Sequence, residues 1–134
     1  MLILKGDTMS SRKILIIDDN IGITKLLEAL LVQRGYGVAV AQGGEEGINV
    51  AKSYAPDLIL LDLKMPDLTG DITAMRIRSE RTNRDTPIIA ISAYGDSLTR
   101  STTRAMGFED HVAKPFDAED LCKRIEKALS VSTK

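Results

Sequence analysis

The feature of the sequence that most constrains its fold is a set of short, uninterrupted apolar runs. Four of them are clear, at residues 14–17, 38–41, 58–61 and 88–91, and a weaker fifth lies at 112–113. None alternates apolar with polar residues, as a strand with one solvated face would. Continuous runs of this length, bounded by turn residues, are typical of strands that are buried on both faces of a parallel sheet. The sequence therefore predicts five strands of this kind.

The segments between and after these runs have helical patterns. Residues at helical spacing, all but Thr102 largely apolar, mark one face of each segment: Ile23, Leu26, Leu27, Leu30 and Leu31; Ile48, Ala51 and Tyr54; Ile72, Met75 and Ile77; Leu98, Thr102, Ala105 and Met106; Leu121, Ile125, Ala128 and Leu129. Asp19 or Asn20 can cap the first helix, and Asp117 the last. Right-handed crossovers then place helices on both faces of one sheet. We predict a doubly wound α/β domain with five strands and five helices.

Composition excludes several classes of protein. A length of 134 residues fits one domain, and a net charge of -1 gives no reason to expect a nucleic-acid or membrane surface. No apolar stretch is long enough to span a bilayer or to form a signal-peptide core. A single cysteine, Cys122, allows no internal disulfide, indicates a cytoplasmic location and is expected to be a packing residue. We predict an N-terminal extension at residues 1–11 and one folded domain at residues 12–131.

Polar residues follow four of the predicted strands. Asp18 and Asp19 follow the first run, Asp62 the third, Ser92 the fourth and Lys114 the fifth. The carboxyl ends of parallel strands form the edge where ligands bind, so we expect these side chains to converge there. Close carboxylates need a counter-charge, and oxygen ligands suit Mg²⁺. A carboxylate beside that ion can attack phosphorus and form an acyl phosphate, while an ammonium and a hydroxyl stabilise the phosphoryl oxygens.

Four blocks that contain these residues resemble the signature of response-regulator receiver domains. The blocks are Asp18-Asp19, LDLKMPD at residues 61–67, ISA at 91–93 and KPF at 114–116. Their order and separations also fit the family, and the resemblance extends from about residue 12 to about residue 131. It implies a flavodoxin-like fold, in which a five-stranded parallel sheet of order 2-1-3-4-5 is flanked by five helices.

The resemblance implies a metal-dependent phosphoacceptor site. By position, Asp62 is the phosphoacceptor, and Asp18 and Asp19 are the metal-binding pair, with Asp19 the more direct ligand. Asp62 and the backbone carbonyl of Lys64 complete the ligands that the protein offers to Mg²⁺.

The remaining blocks imply the groups that respond to the phosphoryl group. Ser92 is the switch hydroxyl and Lys114 the phosphate-binding lysine, and the bond between Lys114 and Pro115 is expected to be cis. Ala93 is small at the position where the family keeps access to the phosphoacceptor open.

Three further positions vary within the family. His111 lies where receivers usually carry a Tyr or Phe that moves inward during switching. It could act in the same way and add pH sensitivity, but a half-exposed strand-end histidine is the plainer interpretation, which we favour. Lys64 and Tyr94 lie at positions that tune the lifetime of the phosphoryl group. We hypothesise that they screen Asp62 from water and slow self-hydrolysis; acyl-phosphate decay in Lys64→Asn or Tyr94→Ala tests this.

The function implied by the resemblance is signalling rather than enzymatic turnover. The protein would take a phosphoryl group from a histidine kinase or a histidine phosphotransfer protein, and would catalyse only its own phosphorylation and dephosphorylation. It would contact a downstream effector, or pass the group to another phosphorelay histidine, through the surface around the fourth helix, fifth strand and fifth helix. We expect a stand-alone receiver, a monomer or phosphorylation-dependent dimer, without nucleic-acid or membrane partners.

Plainer interpretations of the same residues exist. They are a helix cap for Asp18 or Asp19, a turn for Asp62, a strand end for Ser92 and an ordinary surface position for Lys114. The plainer interpretations would all have to hold at once, and the predicted placement of these residues at one sheet edge argues against that. Two other functions compete with the receiver. One is a binding module that works without phosphate, which the intact set disfavours. The other is a phosphatase with an aspartyl nucleophile, which usually has a second Asp where this chain has Lys64.

Overall fold

The computed structural model describes residues 11–93 and 100–132, in which strands and helices alternate. The strands are β1 (Lys13–Ile17), β2 (Gly37–Ala41), β3 (Leu58–Asp62), β4 (Ile88–Ala93) and β5 (Asp110–Lys114). The helices are α1 (Ile21–Gln33), α2 (Gly44–Tyr54), α3 (Gly70–Arg78), α4 (Arg100–Ala105) and α5 (Ala118–Ser132), with a short 3₁₀ turn at Arg81–Asn83. The predicted alternation of five strands with five helices is therefore confirmed.

The five strands form one parallel sheet in the order β2-β1-β3-β4-β5, as expected. Alternate residues of the central strands enter two separate apolar cores. On one face, Ile14 and Ile16 of β1 pack with residues of α1 and α5, and on the other, Leu15 and Ile17 pack with residues of α2 and α3. Because both faces are covered, the central strands are apolar without interruption.

The edge strand β2 differs from the prediction of full burial. Four of its five residues are only half-buried, and Ala41 alone is fully buried. A strand at the edge of a sheet has a neighbouring strand on one side only, so its apolar run cannot be covered as β1 and β3 are. The apolar run predicted the strand correctly but not its place in the sheet.

Several residues that were predicted to face the core are instead exposed. Leu26 of α1 is 58% exposed, and Met75 of α3 is 65% exposed. Ile72 of α3 is also exposed. The face predicted for the fourth helix was wrong at Thr102, Ala105 and Met106, which are all exposed, and Leu98 lies outside the described residues. In α3 the core face is made by Thr73, Ala74 and Ile77, because small residues let that helix lie close to the sheet. The apolar face predicted for α3 was therefore wrong except at Ile77.

The ends of two helices agree with the predicted caps. Asn20, rather than Asp19, occupies the N-cap of α1, where its side chain accepts a hydrogen bond of 3.0 Å from the Ile23 N–H. Asp117 directly precedes α5, and its carbonyl accepts from the Leu121 N–H. Cys122 is buried in the core, as expected of a packing residue. Within residues 11–93 and 100–132, no helix is both long and apolar enough to cross a lipid bilayer.

Candidate functional site

The predicted site residues lie at the carboxyl ends of neighbouring strands. Asp18 directly follows β1, and Asp62 is the last residue of β3. The two strands are hydrogen-bonded neighbours, with Ile17 opposite Leu61, so the sheet brings the two aspartates side by side. Ser92 lies near the end of β4, next to β3.

Three carboxylates form a cluster at this edge. Asp18, Asp19 and Asp62 each offer an oxygen, and the three oxygens lie within 4.8 Å of one another. Asp18 is 1% exposed and Asp62 is 5% exposed, whereas Asp19 is open to solvent. The backbone turns back onto the two buried acids: the Asn20 N–H donates to Asp18 Oδ1 at 2.9 Å, and the Lys64 N–H donates to Asp62 Oδ1 at 3.3 Å.

Lys114 reaches this cluster from the far edge of the sheet. It ends β5, and its ammonium nitrogen lies 3.1 Å from Asp18 Oδ2 and 3.7 Å from Asp62 Oδ1. Although the first distance is short, Asp18 Oδ2 receives no well-directed hydrogen bond within the described part of the chain. The contact is therefore an ion pair that leaves this buried oxygen incompletely satisfied. One ammonium also does not balance three carboxylates.

The electrostatics of the site are visible in the pKa of Asp62. Burial, and then the negative charge of Asp18, raises the pKa of the Asp62 carboxyl from 3.8 to about 6, with a smaller contribution from Asp19. The Lys114 ammonium and the Lys64 N–H oppose this rise but do not cancel it. The site therefore has an excess of negative charge that would attract a cation.

Three other predicted site residues, Ser92, Ala93 and Lys64, lie at the same edge of the sheet. Ser92 is buried, and Ala93 beyond it is exposed and pairs in register with Lys114. The bond from Lys114 to Pro115 is cis, as expected. Lys64 is exposed in the loop after β3, and Tyr94 lies outside the described residues.

His111 connects two elements away from the carboxylates. It is half-buried on β5, and its Nδ1 lies 3.1 Å from the hydroxyl of Thr103, a buried residue of α4. The partial burial agrees with the interpretation of a half-exposed strand histidine. The Thr103 contact, which no sequence pattern predicted, makes His111 a link between α4 and β5. Whether the ring moves during signalling stays a prediction.

Two residues make long-range contacts for which no sequence pattern predicted a role. Asp67, in the loop after β3, accepts the backbone N–H groups at the start of α2. Arg78, at the end of α3, donates to backbone carbonyls in the segment 83–86 and to that of Gly107 beyond α4. The adjacent glycines at 43 and 44 were a possible signal for the first contact. Nothing in the sequence indicated the second.

Comparison with known proteins identifies this arrangement. Residues 14–126 match the family described as the response regulator receiver domain. The chain belongs to the response-regulator receiver domain family. It is 38% identical over 128 residues to a "Probable transcriptional regulator ycf27" of Guillardia theta, a match that covers 96% of this chain and 49% of that protein. The chain thus spans about half the length of the curated relatives it matches.

Solved receiver structures have the same fold. The chemotaxis protein CheY4 of Vibrio cholerae superimposes with a TM-score of 0.82 at 28% identity, over 89% of this chain and 99% of that one. The receiver domain of the sensor histidine kinase PA1611 of Pseudomonas aeruginosa superimposes with a TM-score of 0.81 at 29% identity, over 90% and 99% of the two chains. That receiver has a magnesium ion coordinated in its active site cleft. Receivers are phosphoacceptor signalling domains rather than enzymes in the usual sense, and their acidic pocket binds Mg²⁺.

Proposed function

We propose that this receiver domain, residues 12–131, accepts a phosphoryl group on Asp62 from a phosphohistidine donor in an Mg²⁺-dependent reaction. The observation that carries the proposal is the cluster of Asp18, Asp19 and Asp62 with the Lys114 ammonium against it. It unites a nucleophile, a cation site and a fixed positive charge, which are the parts that phosphoryl transfer to a carboxylate needs.

The donor set fits a hard divalent cation. Asp18, Asp19 and Asp62 offer three carboxylate oxygens close together, and Asp18 Oδ2 is buried without a well-directed donor from the described residues. Oxygen ligands of this kind are those that Mg²⁺ prefers. We propose that the carbonyl of Lys64 adds a fourth oxygen. When bound, the ion would neutralise negative charge on the carboxylates and on the incoming phosphoryl group.

The chain's own residues then perform the transfer. A carboxylate oxygen of Asp62 attacks phosphorus while the bond from phosphorus to the donor imidazole breaks. Lys114, held by its ion pair with Asp18, stabilises charge on the phosphoryl oxygens. The Ser92 hydroxyl donates a hydrogen bond to one of those oxygens, and the small side chain of Ala93 keeps the approach open. Lys64, and Tyr94 outside the described residues, would tune how long the acyl phosphate survives.

The signal is proposed to leave through the surface formed by α4, β5 and α5. A groove of about 690 Å³ lies there, lined by residues of all three elements. Arg124 of α5 forms ion pairs with Asp110 on β5 and Asp120 on α5, while His111 contacts Thr103 of α4. Switching at Ser92 and His111 would alter this surface, which a downstream effector, a phosphorelay partner or a second receiver would contact.

Partners and surroundings belong to the same proposal. The donor is a histidine kinase or a phosphotransfer protein, and a cytoplasmic location stays a prediction from the single cysteine. The absence of a nucleic-acid partner is expected of the receiver itself. The relatives named as probable transcriptional regulators are about twice as long as this chain, and the match covers only about half of each.

Incubation with acetyl phosphate and Mg²⁺, followed by intact mass spectrometry, tests the proposal. The wild-type protein should gain one phosphoryl group, and Asp62→Asn or a chelator should abolish the adduct. Asp57→Asn, which changes an aspartate that binds the Lys13 N–H at the opposite sheet edge, should retain it. An adduct that persists in Asp62→Asn would contradict the assignment of the phosphoacceptor. Continuous release of phosphate from an ester would instead favour the phosphatase alternative.

A further inference from the structure

The loop between β3 and α3, residues 63–69, contains part of the proposed metal site outside any strand or helix. Its base is closed by hydrogen bonds: the Leu63 N–H donates to the Ile91 carbonyl at 3.0 Å, and the Gly70 N–H donates to the Leu63 carbonyl at 2.9 Å. These bonds fix the two ends of the loop. They do not fix its outer part, which follows Lys64.

Asp67 attaches the outer part of this loop to the start of α2. Its Oδ1 accepts the Gly44 N–H and its Oδ2 accepts the Glu45 N–H, each at 3.0 Å. The first N–H groups of a helix have no partner within it, and α2 has glycine at its N-cap and no capping side chain of its own. Asp67 therefore supplies from a distant loop the cap that the local sequence lacks, and its charge faces the positive end of the helix.

Two glycines make this close approach possible. A Cβ added to Gly43 would lie 3.1 Å from Asp67 Oδ2. A Cβ added to Gly44 would lie 2.6 Å from Thr73 Oγ1 and 2.7 Å from Leu68 Cβ, closer than such atoms can approach. The loop thus rests directly on the backbone of α2.

The same part of α2 also contacts the strand that precedes the other two carboxylates. A Cβ on Gly47 would lie 2.6 Å from Cδ1 of Ile17, the residue before Asp18. Asp18 itself is fixed to the end of β2 by its N–H, which donates to the Ala41 carbonyl at 3.1 Å. The first turns of α2 therefore connect the end of β1 with the loop after β3.

We propose that Asp67 is a positioning residue for the metal site, which holds the loop after β3 on α2 so that the Lys64 carbonyl stays in place relative to Asp18 and Asp62. The proposal rests on the proposed function, because it takes that carbonyl as a ligand of Mg²⁺. Asp67 would act through the loop and would not touch the metal itself. A loosened loop would lower the affinity for the ion, because the loop that carries the Lys64 carbonyl would have to become ordered when the ion binds.

The ionised form of Asp67 suits this task. The hydrogen bonds from the backbone of Glu45 and Gly44 hold the pKa of its carboxyl below the usual range. A carboxylate has two acceptor oxygens, one for each N–H, whereas an amide has only one. The affinity for Mg²⁺ should therefore decrease from Asp67 to Asp67→Asn to Asp67→Ala, as the number of acceptor oxygens falls.

Magnesium titrations of Asp67→Ala and Asp67→Asn test the proposal. The dissociation constant for Mg²⁺, measured by calorimetry and by amide NMR shifts, should rise about tenfold in Asp67→Ala, as for other residues that support a metal ligand. The dissociation constant of Asp67→Asn, which keeps one acceptor oxygen, should rise less. Amide exchange should increase at residues 64–68 in both variants.

Asp57→Ala is the matched control. Asp57 Oδ2 also accepts a backbone N–H from a distant segment, that of Lys13 at 2.7 Å, but at the opposite edge of the sheet. Its loss should lower the free energy of unfolding and leave the Mg²⁺ dissociation constant unchanged. A purely structural cap at Asp67 would behave in the same way, so unchanged affinity in Asp67→Ala would overturn the positioning role. If the wild-type protein bound no Mg²⁺, the proposed function itself would fail.

Discussion

Removing the charge of Asp62 should stabilise the metal-free protein at neutral pH. The folded state holds the pKa of this carboxyl at about 6, against 3.8 ordinarily, because the side chain is buried and faces Asp18. Its ionisation is therefore unfavourable in the folded state relative to the unfolded chain. Asn has nearly the same shape, keeps an oxygen that can accept from the Lys64 N–H, and carries no charge. We expect Asp62→Asn to gain stability where the wild-type residue is ionised.

The size and pH window of the effect follow from this pKa. Each pKa unit corresponds to about 1.4 kcal/mol, so the gain should reach at most about 3 kcal/mol. Below about pH 4 Asp62 is protonated in both states, and the variant should have no advantage from this source. As the pH rises through about 6, the wild-type protein loses the stability that its protonated carboxyl had provided. The advantage of the variant should therefore increase between about pH 4 and pH 6 and then remain constant.

Urea denaturation in the presence of a chelator, at pH values on both sides of this window, measures the effect. Asp71→Asn is an informative control, because a hydrogen bond from the Thr69 hydroxyl lowers the pKa of Asp71. That control should be slightly destabilised at neutral pH, opposite in sign to Asp62→Asn. Added Mg²⁺ should stabilise the wild-type protein more than Asp62→Asn, which lacks one of the proposed ligands. If Asp62→Asn were less stable than the wild type at pH 8, or its gain did not depend on pH, the electrostatic account would be refuted.

Two further substitutions probe other contacts. Lys114→Met removes the ammonium beside Asp18 and Asp62, so the pKa of Asp62 in the metal-free protein should rise above about 6, as measured by NMR titration of the carboxyl carbons; an unchanged or lower pKa would contradict the ion-pair geometry. Arg78→Ala removes donors from the carbonyls of Thr86 and Gly107 and should lower the free energy of unfolding by about 2–3 kcal/mol. The control Arg76→Ala, which breaks an exposed ion pair with Glu45, should lower it by less than about 1 kcal/mol. Equal losses would show that the Arg78 hydrogen bonds stabilise the fold no more than a surface ion pair does.

The fold and the position of the site could be predicted from the sequence because both depend on patterns that are local along the chain. Apolar runs predicted the strands, and the residues directly after them, such as Asp18 and Asp62, had to lie at one sheet edge once the strands were parallel. The burial of helix faces was harder to predict. Met75 is apolar yet exposed, while the neighbouring Thr73 and Ala74 are buried, because close packing of α3 on the sheet favours small side chains.

Contacts between distant segments could not be predicted in this way. Asp67 is an ordinary turn residue in the sequence, and only the fold brings it to the start of α2, over 20 residues away. Arg78 likewise meets Gly107 only because β4 carries the chain across the sheet and α4 brings it back. The bond between Thr103 and His111 depends on how α4 packs on β5. Such contacts follow from tertiary structure and have no periodic pattern that could announce them.

The predicted stability changes of this domain and its proposed chemistry depend on the same excess of negative charge. Lys114 is fixed in the folded structure and offsets only part of the charge of Asp18, Asp19 and Asp62. If Lys114 balanced that charge fully, the site would have little reason to bind a divalent ion. With less offset, the folded state would pay a larger penalty for burying Asp18 and Asp62. The predicted gain of Asp62→Asn without metal, and its reduced gain from Mg²⁺, are therefore two consequences of one arrangement. If Asp62→Asn showed only one of these two effects, the charge of the site would not be what determines its capacity to bind the ion.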